Sequence, residues 1–139
     1  MSNLAPNRSV KLQELTLAGA KTMVGGEVSL PFGTRLLSIE SIFVRAAGGT
    51  ACKVYVQTSL DGGTTWIDIA CHAFTTTSAS KVSAVKADTA VTPATTPGDG
   101  ALSDDTVLDG LLGDRIRSKV VSTGTYSGAS SIKVRVVPN

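Results

Sequence analysis

"VYVQTSLDGGTTWIDIACHAF", residues 54–74, decides the fold class. The run "CKVYVQT" before its turn alternates cleanly, with Cys52, Val54 and Val56 on one face and Lys53, Tyr55 and Gln57 on the other. The run after the turn, "TWIDIACHAF", is aromatic and β-branched, the composition of a strand. Between them "SLDGGTTW", residues 59–66, carries turn chemistry in Ser59, Asp61, Gly62, Gly63, Thr65 and Trp66. Asp61 can accept backbone N–H groups, Gly62 and Gly63 can take positive φ, and Trp66 can fold over the loop. An antiparallel hairpin of residues 52–58 and 65–73 follows. In that hairpin Cys52 and Cys71 fall on the inward face as diagonal neighbours about 7–8 Å apart. That is poor geometry for a disulfide, so both are expected as reduced core thiols.

Outward from the hairpin the chain repeats the same alternation. "SVKLQELTL" shows Val10 and Leu12, then Leu15 and Leu17, with a phase slip at Gln13–Glu14 that predicts a bulge or bend. "RLLSIESIFVRA" puts Leu37, Ile39 and Phe43 on one face and Ile42 and Val44 on the other, the pattern of a strand covered on both sides. "DRIRSKVV" and "SIKVRVV" point Ile116 and Val120, then Ile132, Val134 and Val136, inward. "LPFG", "AGG", "DGG" and "GTYSGAS" punctuate these runs as turns. Many short strands and no convincing helix predict an all-β, antiparallel sandwich, jelly-roll-like, of about eight strands. A short helical turn over "DTVLDGLLGD" is the single helical exception expected.

Length and composition agree. The 139 residues make one domain, and a charged content of 17% with 4% aromatics disfavours long surface helices. Residues 1–8 are polar and read as an N-terminal arm, with the sandwich domain spanning 9–139. Within it, 75–106 is a long Thr/Ser/Ala/Pro-rich loop in which only "KVSAV" is patterned as a strand. The arm and residues 87–106 are expected to order only in an assembly. The first ten residues have no apolar core of a secretion signal, and no apolar run approaches membrane-spanning length. Synthesis and folding in the cytoplasm are therefore expected. A formal charge of +2 gives no reason to expect nucleic acid.

The turn satisfies Ser-x-Asp-x-Gly-x-Thr-Trp and resembles the Asp-box of sialidase-type β-propellers. A propeller, however, needs several four-stranded blades of about 40–50 residues each. No repeat at that spacing is visible, and no arginine cluster suited to a sialic acid carboxylate. The motif reads as a turn, and no catalytic residue is expected. His72, the only histidine, follows Cys71 directly; neighbouring strand residues point to opposite faces, so they form no nucleophile–base dyad. A histidine at a strand edge is the expectation. Asp99, Asp104, Asp105, Asp109 and Asp114 lack EF-hand spacing and read as turn residues rather than calcium ligands. No metal or cofactor is expected.

Arg115, Arg117 and Lys119 share an outward face, as do Lys133 and Arg135. If the last two strands form a hairpin around "STGTYSGAS", the five make one basic patch. It is a solvated face that discourages edge pairing, a contact surface for an acidic protein or, least favoured, one for nucleic acid.

Residues 40–137, through "QTSLDGGTTW", "GDRIR" and "GTY", resemble small β-rich proteins of the virion-structure modules of tailed bacteriophages and gene-transfer particles. The resemblance implies a virion component and carries across no catalytic residue. It points to a virion component more strongly than to a position in the virion. Within that class the first expectation is a capsid decoration (cement) protein on the head lattice, a homo-oligomer with a trimer favoured, found in the virion after assembly in the host cytoplasm. The major capsid protein or another virion protein would be its partner, with no nucleic acid or membrane. A tail or head-tail ring component is the alternative. A carbohydrate-binding module with Tyr55, Trp66 and Tyr126 as stacking platforms is the reading from another class.

Overall fold

The computed structural model describes residues 2–3, 6–91 and 94–139. Of the expected arm, Met1, Leu4 and Ala5 lie outside the described residues. The strands are β1 (Ser2–Asn3), β2 (Val10–Thr16), β3 (Lys21–Val24), β4 (Val28–Ser29), β5 (Leu36–Val44), β6 (Ala47–Gly48) and β7 (Ala51–Ser59). They continue as β8 (Ile67–Phe74), β9 (Ala79–Lys86), β10 (Thr106–Val107), β11 (Arg115–Thr123), β12 (Tyr126–Ser127) and β13 (Ser131–Pro138).

The architecture is the expected all-β sandwich. One sheet runs β2-β13-β5-β9; the larger runs β1-β4-β11-β7-β8-β10, with β3 also paired to β11. All ladders are antiparallel except the two-residue β1–β4 pair. Leu37, Ile39, Phe43, Ile132, Val134 and Val136 of the smaller sheet pack against Cys52, Val54, Val56, Ile116 and Val120 of the larger. Phe43 and Phe74 stack across the layers at 5.2 Å between centroids, and Tyr126 meets Phe43 edge-on at 6.3 Å. Such pairs favour one packing arrangement beyond the area they bury.

Three expectations need correction. First, β11 and β13 form no hairpin: they belong to different sheets. The connection between them crosses at one end of the sandwich, where β12 pairs with β6 of the other crossing connection. Tyr126 drives this crossing, since its ring is buried and its hydroxyl donates to Ala51 O at 2.7 Å. Second, residues 105–114 form no helix. Gly110 has φ 95°, and Asp109 accepts the Lys86 N–H at 2.7 Å instead of supporting a helical turn.

Third, the ladder between β7 and β8 slips between Val56 and Gln57. Val56 faces Ala70 and Gln57 faces Asp68, which leaves Ile69 as the extra residue. A one-residue slip exchanges the faces of everything beyond it. Cys71 therefore pairs with Tyr55 while Cys52 pairs with Phe74, so the two thiols lie on opposite faces of the sheet. Both are free and buried, and burial pushes Cys52 up to about 12 and Cys71 to about 11. The same slip turns His72 inward. A second bulge between β2 and β13 lies near the anticipated phase slip; Leu12 is the unpaired residue, and Leu12 and Gln13 are both buried.

Candidate functional site

The turn between β7 and β8 is closed by its own side chains. Asp61 Oδ1 accepts the Ser59 hydroxyl at 2.9 Å and the N–H groups of Thr64 and Thr65 at 3.1 and 2.8 Å. Ser59 Oγ accepts the Gly63 N–H at 2.8 Å, and Trp66 Nε1 donates to Gly63 O at 3.2 Å. Gly62 and Gly63 have φ of 75° and 100°, where side chains are strained. The Thr65 N–H, with the Thr65 and Ser59 hydroxyls, holds the Asp61 carboxyl down at about 2. The side chains of Ser59, Asp61 and Trp66 thus serve the turn itself.

Beside it lies a network that patterning alone does not reveal. Residues 94–107 form a strap across the outer face of the larger sheet, ending in β10. Asp68, 2% exposed, is its anchor. Asp68 Oδ1 accepts from Gln57 Nε2 at 2.8 Å and Gly100 N at 2.9 Å; Oδ2 accepts from Ala101 N at 2.7 Å and Leu102 N at 3.1 Å. Gln57 also donates to Asp99 Oδ1 at 2.6 Å and accepts from Arg117 Nε at 2.8 Å. Lys119 Nζ reaches Asp99 Oδ1 at 2.9 Å, and this bond holds the Asp99 carboxyl below its usual range. Arg117 stacks over Trp66, 4.3 Å from the ring centroid. Residues 99–102 of the long polar loop thus have partners within the single chain, where the sequence led to the expectation that 87–106 order only in an assembly; Thr92 and Pro93 of that loop lie outside the described residues. The signal available in sequence was Asp68 between two isoleucines and Gln57 in an apolar run, polar residues in need of partners.

The five basic residues do not form one patch. Arg117 and Lys119 lie beneath the strap. Arg115 pairs with Glu27 at 3.2 Å, and Lys133 pairs with Glu14 at 3.2 Å in the other sheet. Arg135 borders an open groove on the outer face of the smaller sheet with Ser38, Glu40, Val82 and Val137.

His72 is not at an exposed edge: it is 4% exposed between the layers. Nδ1 lies 2.8 Å from Ser41 Oγ and Nε2 2.7 Å from Ser83 Oγ, so the ring joins β8 of one sheet to β5 and β9 of the other. Burial pushes its pKa down, favouring the neutral ring. Among the described residues no carboxylate meets it at hydrogen-bond distance. The aspartates disperse: Asp104 to Lys53, Asp105 to Lys81, Asp109 to the Lys86 N–H. Among the described residues no three His, Cys, Asp or Glu side chains converge on a metal-sized position.

Tyr55, Trp66 and Tyr126, the proposed sugar platforms, are all buried. Among the described residues Phe32 is the one exposed aromatic ring. No protein-family model matches the chain, and no match was found among curated proteins.

Proposed function

We propose that this chain is a virion structural protein of the tailed-phage type, acting as a capsid decoration protein that binds the head lattice without catalysis. Its polar clusters are engaged in holding the turn, the strap and the two layers together, which leaves contact as the chemistry available at the surface.

The observation that carries this reading is Phe32, whose exposure is complete at 107%. It occupies the second position of the Pro31–Thr34 turn, with Gly33 at φ 80°. The Thr34 N–H and hydroxyl both donate to Pro31 O, at 3.3 and 2.7 Å. A ring held in water on a stiffened turn is poised for burial, worth about 1.5–3 kcal/mol when a partner covers it. Leu60, 59% exposed, belongs to the same end of the sandwich: Gly113, packed on the Ser59 carbonyl, also lines the hollow beside Phe32. Together they make an apolar tip. A sugar-binding module is disfavoured because its three rings are buried.

Quantitative mass spectrometry of purified tailed particles from the source culture tests the reading. Hundreds of copies per particle support decoration, and a handful moves the chain to a ring. Absence from particles removes the virion reading.

A further inference from the structure

We propose that β9 is a self-association edge: two copies pair β9 against β9, antiparallel about a two-fold axis at Val82, and join their four-stranded sheets into one. The inference does not depend on the virion reading.

The hydrogen-bond phase of the strand carries it. In an antiparallel ladder each residue directs its N–H and C=O to the same side, alternating along the strand. Leu36, the register partner of Lys86, has its N–H and C=O bonded to Asn139, away from β9. Lys86 in turn uses both groups on its far side, its N–H to Asp109 and its C=O to Gly110. Ser80, Val82 and Ala84 share that phase, so their N–H and C=O groups also point away from β5. All three residues are exposed, and among the described residues no strand pairs with that side of β9. The opposite edge of the sheet is different. There Gln13 of β2 reaches across to Met23 O at 3.2 Å and to the Ser118 hydroxyl.

The occupant that fits is a second copy. With Val82 facing Val82 of the second copy, Ser80 faces Ala84 and Lys81 faces Ser83; the pairing stops short of Lys86, whose far-side groups Asp109 and Gly110 already hold. No like charges stand opposite each other. The Lys81 ammonium is already tied to Asp105 of its own chain at 2.8 Å. Val82, 74% exposed, would be covered by its equivalent at the axis. Strand edges are usually protected by proline, a bulge or an inward-pointing charge. β9 has no proline and its ladder with β5 is regular throughout; it does carry an inward-facing charge, Lys81 opposite the buried Ser41, whose ammonium is held by Asp105 and the Ala73 carbonyl of its own chain.

Analytical ultracentrifugation over a concentration series, up to about 100 μM, tests the pairing. The wild type should sediment as a dimer. Val82→Lys and Val82→Glu should each weaken the dimer at least about tenfold, because like charges then meet on the axis. Neither should change the melting temperature of the monomer, since the side chain is exposed. An equimolar mixture of the two variants should restore the dimer. A wild type that stays monomeric, a trimer, or a dimer indifferent to both substitutions would overturn the proposal.

Discussion

Asp68 stands between Ile67 and Ile69 in an otherwise apolar run, and the strap depends on it. Its two oxygens accept four hydrogen bonds, three of them from strap amides. Asp68→Ala should cost about 2–4 kcal/mol in urea denaturation, because Gln57 loses a buried acceptor and the strap loses its anchor. Asp68→Asn should rescue little of this: whichever oxygen becomes an amide, its N–H groups face donors. Limited proteolysis of both variants should cut within 94–106, where the wild type should resist. Asp61 makes a pH prediction. Its folded pKa, about 2, lies below the ordinary 3.8, so its contribution to stability is present above 3.8 and is lost as pH falls through about 2. The melting-temperature gap between wild type and Asp61→Asn should therefore narrow over that window. The thiols make the third test at this scale. With Cys52 raised to about 12 and Cys71 to about 11, neither should react with a disulfide reagent at neutral pH until the protein unfolds.

At the scale of the element, the hairpin turn was legible because its chemistry is local: side chains and receiving amides lie within five residues of each other. Its two glycines are not equivalent. A Cβ at Gly62 meets open space, whereas one at Gly63 meets the Glu27 carboxylate. Replacing both by Val should destabilise by about 1–3 kcal/mol, with Gly63→Val the costlier single change, as read from chemical denaturation. The β7–β8 bulge was not legible. "IDIACHAF" alternates weakly enough to accept either phase, and the extra residue, Ile69, is as apolar as its neighbours. Only the paired strand reveals the slip, and that slip decides which face receives Cys71 and which receives His72. The apolar alternation of β11 and β13 was read correctly, yet their pairing was not. A connection of Gly, Ser and Thr suits a hairpin or a crossing equally well, and the buried Tyr126 selects the crossing.

At the scale of the whole molecule, the sandwich treats its two outer faces differently. The strap covers the larger sheet and takes Arg117 and Lys119 with it, while the smaller sheet keeps an open groove and the free edge at β9. Charges already paired within the chain gain little from an acidic partner, and exposed ones are screened by salt. Apolar burial at the Phe32 tip is far less sensitive to salt. On the decoration reading proposed above, binding to the particle should therefore weaken only modestly between low and physiological ionic strength. Phe32→Ala should lower particle occupancy about tenfold or more without changing the melting temperature, since its ring touches water and not the core. Arg117→Ala should do the reverse. It removes the Gln57 partner and the stack on Trp66, and so lowers the melting temperature while leaving occupancy of the folded protein nearly intact. Occupancy measured by quantitative gel densitometry of particles incubated with each variant separates the two. A steep salt dependence, with Arg117→Ala losing more occupancy than Phe32→Ala, would move the contact from the apolar tip to the basic face.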